Sequence, residues 1–199
     1  MTLPQKAIVL DLGNVLFEWG SESTSEAQPS LKTLLKCDQY SQYERGLISS
    51  ERNFCESRGS ELGIDASELE MVFQTARSSL EPNTALFSFV RTIKEQYGIP
   101  IYAMSNIPAK DIDYLHVTFP SHMNIFDKVF ASGWTGLSKP DPAFFQLVMD
   151  GVSSLPDEVI FVDDKSWNID QARRFGWRGI QFSGTDHLCK ELKNISWQS

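Results

Sequence analysis

Four short polar sites, spread over most of the chain, carry the residue types needed to handle a phosphoryl group. Asp11 closes the apolar run in Ile8-Val9-Leu10-Asp11-Leu12-Gly13-Asn14-Val15-Leu16. A carboxylate there stands at a strand end, beside backbone N–H groups of the next turn, and suits a nucleophile or a metal ligand; the plainer reading is an Asp that caps a turn. Ser105-Asn106 end another apolar run and offer a hydroxyl and an amide to phosphate oxygens, although such pairs also make ordinary turns. Lys139, in Leu137-Ser138-Lys139-Pro140-Asp141-Pro142, would neutralise phosphate and nearby carboxylates if aimed at the strand ends; a solvated loop lysine is the alternative. Asp163-Asp164 follow four apolar residues, a costly place for two carboxylates unless a cation is near. Mg²⁺, with its preference for carboxylate oxygens and water, fits them, and a helix N-cap cluster fits less well.

Five apolar runs read as the buried parallel strands that position these residues: Ala7–Leu10, Ile99–Met104, Lys128–Ala131, Val159–Val162 and Gly179–Phe182. Helical patterns separate them. Thr84–Tyr97 carries Leu86, Phe87, Phe89, Val90 and Ile93 at helical spacing, with Gly98 as a stop. Asp141-Pro142 make an N-cap and first turn for a helix reaching about Gly151. Asn168–Phe175, closed by Gly176, and Thr185–Leu192 read as two more helices. Strands alternating with helices imply an α/β fold, a Rossmann-like doubly wound parallel sheet, whose ligands bind beyond the carboxyl ends of the strands. Asp11, Ser105-Asn106 and Asp163-Asp164 all fall at such ends, and Ser138-Lys139 fall in the loop after the third strand.

One stretch breaks the alternation. Trp19 to Glu81 shows helical patterns, clearest over Ser50–Leu62 and Ala66–Leu80, and no convincing strand. The expected division is a catalytic core of residues 1–18 and 82–199 with a small α-helical cap, 19–81, inserted over the strand ends. Gly20–Ser30, rich in Ser, Glu and Gln, reads as a hinge or loop.

The 199 residues suffice for one domain with a sizeable core and an insert. A net charge of −8 argues against a nucleic-acid surface, which needs a positive footprint. Cys37, Cys55 and Cys189 are far apart and form no CxxC pair, as expected of ordinary thiols in a reducing compartment. No basic start with a long apolar run marks a signal peptide, and no stretch approaches the ~20 apolar residues that span a bilayer. The expectation is a cytoplasmic protein, monomer or homodimer, with a small-molecule phosphate as its partner and neither nucleic acid nor membrane.

In order and spacing the four sites resemble the motifs of the haloacid dehalogenase-like hydrolase superfamily, across nearly the whole chain. Asp11-Leu12-Gly13-Asn14-Val15 and Tyr43-Glu44-Arg45-Gly46-Leu47-Ile48-Ser49 look like the subgroup with a small helical cap, which includes sugar-1-phosphate phosphatases and the N-terminal phosphatase domain of epoxide hydrolases. The resemblance implies a phosphatase in which Asp11 attacks phosphorus and Lys139 stabilises the charge on Asp11 and the phosphoryl oxygens. It assigns Ser105, Asn106, Gly13 and Asn14 to the substrate. It assigns Mg²⁺ to Asp11, the Gly13 carbonyl and Asp164, with Asp163 assisting. Asn168 stands where relatives often have a supporting acid.

The chain departs from that pattern at Gly13. Most phosphatases of the superfamily carry there a second Asp that protonates the leaving group, and losing such a group typically lowers rates ~10²–10⁴-fold. Three readings remain open. The enzyme acts on an ester with a good leaving group, such as an anomeric sugar or allylic prenyl phosphate, or takes its proton from elsewhere. Alternatively it is a dehalogenase, whose halide needs no proton, although Asp163-Asp164 look more like a metal site. The last is a phosphate-binding module with reduced catalysis. Phe17, Trp19, Phe73, Leu80 and Trp134 either line an apolar pocket or pack the cap onto the core. Related domains also occur in terpene-cyclising proteins, for which this chain is short. His116, His122 and His187 do not cluster in sequence and receive no role.

Overall fold

The computed structural model describes residues 6–19 and 36–197. In chain order the strands are β1 (Ala7–Leu10), β2 (Phe17–Trp19), β3 (Leu80–Pro82), β4 (Ile101–Ser105), β5 (Lys128–Ala131), β6 (Val159–Asp163) and β7 (Arg178–Gln181). The helices are α1 (Asp38–Glu44), α2 (Glu51–Leu62), α3 (Ala66–Ser78), α4 (Thr84–Tyr97), α5 (Ala109–Thr118), α6 (Pro120–Met123), α7 (Ser132–Thr135), α8 (Pro142–Gly151), α9 (Ser166–Arg174) and α10 (Thr185–Lys193).

Five strands form a parallel sheet in the order β5-β4-β1-β6-β7, the α/β fold anticipated above. Alternation along β1 separates two cores. Ile8 and Leu10 pack with Leu86, Phe87 and Val90 of α4 and with Leu188 and Leu192 of α10. Ala7 and Val9 pack on the other face with Phe144, Phe145 and Val148 of α8 and with Ile169 and Ala172 of α9. Leu10 lies opposite Ala103 on one side and Val162 on the other. The carboxyl ends of β1, β4 and β6 therefore finish level, and whatever follows them in sequence converges. The chain builds outward from β1 through β4 and β5 on one side, then through β6 and β7 on the other. The switch point between β1 and β6 is where such sheets bind ligands.

Helices α1 to α3 have a core of their own: Tyr43, Phe54, Cys55, Leu69 and Phe73. Tyr40 stacks on Phe73 at 6.1 Å between ring centres. Side-chain caps set the helix starts, Ser50 on the Asn53 N–H and Asp65 on the Ser67 N–H. The stretch Trp19–Glu81, expected to hold no strand, begins and ends in one. β2 and β3 pair antiparallel, with Phe17 opposite Pro82 and Trp19 opposite Leu80. Three residues are too few to show a period of two, so this ribbon left no pattern to read. It ties together the points where the chain leaves and rejoins the core. The expected loop Gly20–Ser30 lies outside the described residues.

A buried ionic cluster joins the helical segment to the core. Arg77 of α3 donates to Glu51 of α2 and, at 2.6 Å, to Asp111 of α5. Glu51 also accepts from Tyr43 at 3.1 Å and from Lys110 at 2.6 Å. Arg77 and Glu51 are both buried, so this arrangement depends on every charge keeping its partner. Among the described residues no helix is long and apolar enough to cross a membrane, and no disulfide joins the three cysteines.

Candidate active site

The side chain following β1 is the centre of the site. The Asp11 N–H donates to the Val162 carbonyl at 2.9 Å, which extends the ladder with β6 by one residue. Its Oδ1 accepts the Leu12 N–H at 2.7 Å and lies 3.0 Å from Lys139 Nζ. Ser105, the last residue of β4, also hydrogen-bonds the Asp11 carboxyl. Burial pushes that carboxyl up to about 6; Lys139 opposes the rise and Asp163 reinforces it.

Lys139 lies between two carboxylates, 3.0 Å from Asp11 and 2.7 Å from Asp163 Oδ2, with its ammonium 5.7 Å from the centre of the Phe161 ring. Only 5% of the residue is exposed. Burial opposes its charge, but Asp11 and Asp163 outweigh burial and hold its pKa above the ordinary value. It is thus a buried, permanently charged cation rather than the solvated loop lysine of the plainer reading. Asn106 fixes it from behind: the amide oxygen accepts the Lys139 N–H at 2.7 Å and the amide nitrogen donates to the Lys139 carbonyl at 2.9 Å. Both ends of Asn106, assigned above to the substrate, are thereby engaged with main chain.

The two adjacent aspartates differ. Asp163 is fully buried. It accepts from Lys139, from the Lys165 N–H at 2.8 Å, and from Asn168 Nδ2 at 2.9 and 3.0 Å. Asp164 is partly exposed and meets Lys165 Nζ at 2.7 Å. One carboxylate oxygen each from Asp11, Asp163 and Asp164 lies within 4.8 Å of the others. Hard oxygen donors so grouped fit a Mg²⁺-type cation. The four sequence motifs are therefore brought to one place.

Gly13 and Asn14 occupy the turn between β1 and β2. Asn14 takes a left-handed φ of 57°, which Asn tolerates better than most residues, and its N–H donates to the Phe17 carbonyl at 2.8 Å. A Cβ at Gly13 would meet nothing within 4 Å. The space for a side chain is present, so sterics do not account for the missing Asp.

Sequence reasoning left out a fifth contributor. Glu44, the last residue of α1, is partly buried. The charges acting on it most strongly are Lys139 and then Asp11, ahead of its neighbour Arg45. Its carbonyl accepts from Ser132 Oγ at 2.8 Å, and Ser132 Oγ in turn accepts the Ile107 N–H at 2.8 Å. Close backbone contact makes this possible. A Cβ on Gly46 would lie 2.5 Å from the Gly133 carbonyl oxygen, and one on Gly133 would lie 2.2 Å from the Ala109 nitrogen. The aromatic candidates divide. Phe17, Phe73 and Leu80 are buried in cores, while Trp19 and Trp134 are exposed. Trp134 stacks with His116 at 5.9 Å and His122 packs edge-on to Phe87 at 4.7 Å, so neither histidine joins the site.

A parallel sheet with a carboxylate at its central strand end, a lysine against it and a pair of aspartates across the switch point defines a class of hydrolase. Residues 5–176 match the family model described as haloacid dehalogenase-like hydrolase, and the chain belongs to that family. It is 32% identical over 191 residues to the sesquiterpene phosphatase astK of Aspergillus oryzae, covering 96% of each chain. It is 33% identical over 193 residues to the drimenol cyclase drtB of Aspergillus calidoustus, but spans only 36% of that protein's length. Among solved structures it resembles the wild-type enzyme bt-2542 from Bacteroides thetaiotaomicron in complex with magnesium and inorganic phosphate. The TM-score is 0.75 at 21% identity, over 92% of this chain and 98% of that one.

Proposed function

We propose that the protein is a Mg²⁺-dependent phosphatase that hydrolyses a small-molecule phosphate monoester, a terpenoid phosphate in preference to a sugar phosphate, through an aspartyl-phosphate on Asp11. The observation that carries this reading is the Asp11–Lys139–Asp163 array at the end of the sheet. A carboxylate stands at the strand end, and a buried ammonium stands beside it where negative charge would build up on the phosphoryl group. Asp11, Asp164 and the Gly13 carbonyl would hold Mg²⁺, with Asp163 assisting; when bound, the cation would neutralise phosphoryl oxygens and offset the repulsion between substrate and carboxylates.

The remaining steps belong to the chain's own groups. Asp11 forms a bond to phosphorus as the ester P–O bond breaks. Ser105, with the main chain around Gly13 and Asn14, orients the phosphoryl oxygens. Water then attacks phosphorus, and the Asp11 carboxylate departs. Asn106 acts in this scheme by fixing Lys139. We assign residues 19–81 to a cap over the core of 1–18 and 82–199. The near full-length likeness to a sesquiterpene phosphatase supports an apolar alcohol. So do Leu47 and Trp134, 60% and 48% exposed, which follow Gly46 and Gly133 at the close contact beside the site.

The test is phosphate release from p-nitrophenyl phosphate, hexose 1- and 6-phosphates and prenyl and sesquiterpenyl phosphates, with and without Mg²⁺. Release should need the metal and be fastest for the terpenoid esters. A preference for hexose phosphates would move the substrate to the sugar class. Silence across the panel from folded protein would remove the phosphatase reading altogether.

A further inference from the structure

The phosphatase reading leaves one atom unaccounted for, the proton that the departing alkoxide must receive. Alkoxides are strong bases, and transfer from a positioned acid typically contributes ~10²–10⁴ in rate. Gly13 has no side chain to supply it. The acids around the site can be taken in turn. Asp163 is saturated by Lys139, Lys165 and Asn168. Asp164 is paired with Lys165. Asp111 is held by Arg77, and Glu51 by Arg77, Lys110 and Tyr43. Glu44 differs from all of these. Its main chain is fixed through Ser132, but among the described residues no hydrogen bond or ion pair holds its carboxyl, and none ties it to Asp11, Asp163 or Asp164.

Resting on the phosphatase reading, we propose that Glu44, delivered from the helical segment by the Ser132 bond and the Gly46–Gly133 contact, is the general acid and base that replaces the missing aspartate. Burial pushes its carboxyl up to about 7, with Lys139 opposing, Asp11 reinforcing, Arg45 opposing and Asp111 reinforcing the rise. Both protonation states are accordingly accessible near neutral pH, as a group that gives and then takes a proton requires. In the first step the Asp11–P bond forms, the P–O ester bond breaks, and the Glu44 proton passes to the ester oxygen, releasing the neutral alcohol. In the second, the Glu44 carboxylate takes a proton from water as the water oxygen bonds to phosphorus. The P–O bond to Asp11 breaks, and inorganic phosphate leaves with Asp11 ionised and Glu44 protonated again.

The experiment compares Glu44→Gln with the native chain on a simple alkyl phosphate and on p-nitrophenyl phosphate, whose phenolate leaves without a proton. In the formation of the phosphoenzyme, followed by rapid quench, loss of about 10²–10⁴-fold on the alkyl ester and under about 10-fold on the aryl ester is expected, while its breakdown, which needs the base, should slow by about 10²–10⁴-fold whichever ester formed it. Gly13→Asp, for which there is room, should restore much of the alkyl activity in the Glu44→Gln background. Equal loss on both esters in phosphoenzyme formation, or no loss in either step, overturns the proposal. A second measurement uses the native chain alone, so it does not depend on how the variant folds. Its rate should vary weakly with the pKa of the departing alcohol, and a steep fall toward basic alcohols would equally overturn the role. A native chain that releases no phosphate from any ester defeats the phosphatase reading instead, an outcome recognisable before any variant is made.

Discussion

Asp11→Asn is expected to lower phosphate release by on the order of 10⁴-fold or more, because the nucleophile of a covalent mechanism has no substitute. The fold should not suffer. The Asp11 carboxyl is held at about 6, above its ordinary value, chiefly by burial. A raised acid pKa means that charging the group opposes folding, and that penalty grows as pH rises through the folded value. A neutral amide of the same shape relieves it. Lys139 keeps Asp163 as a partner at 2.7 Å, so a one-to-one pair remains. The urea midpoint of D11N at neutral pH should therefore equal or exceed that of the native chain, while rapid-quench measurements detect no phosphoenzyme. Turnover within about tenfold of native would exclude Asp11 as the nucleophile.

Lys139→Met should damage both properties. Here the buried cation between Asp11 and Asp163 is removed, and breaking such a pair costs about 3–5 kcal/mol. Asp163 keeps Asn168 and the Lys165 N–H, but Asp11 loses its opposing charge. Urea unfolding should report the lost stability, and phosphate release should fall by more than about 10²-fold because no other described side chain places a positive charge against Asp11 where the phosphoryl group is transferred. A variant of native stability would mean that the Lys139 contacts with Asp11 and Asp163 do not contribute to holding the fold. The two substitutions thus separate chemistry from architecture: each removes a charge from the same contact, and only the second should unfold the site.

The core was legible in sequence where apolar runs are bounded by turn chemistry. β1 and β5 have the expected bounds, and α4 runs from Thr84 to the Gly98 stop as its spacing dictates. The reading of β4 and β6 erred in an informative way. Each strand carries one polar residue at its end, Ser105 or Asp163, that an apolar criterion excludes. Those residues are buried because the site itself satisfies them. α5 went unread because a sequence rich in Asp, Lys and His covers its two buried positions, Ile112 and Leu115. The four motifs were visible because their residue types are unusual after apolar runs. The grip of Asn106 on Lys139 and the approach of Glu44 had no such signal. Each spans a long separation in sequence, and neither a lone amide nor a glutamate in a polar helix stands out from solvated neighbours.

That grip bears on binding thermodynamics. With both ends of its amide on the Lys139 main chain, Asn106 welds the loop after β4 to the loop after β5. The ammonium and the Ser105 hydroxyl are thereby set at a fixed spacing before any ligand arrives. The conformational entropy of assembling this half of the site is given up during folding rather than at each encounter. Inorganic phosphate should accordingly bind with little ordering of the loops around Lys139, leaving the heat of binding to reflect desolvation and charge pairing more than loop closure.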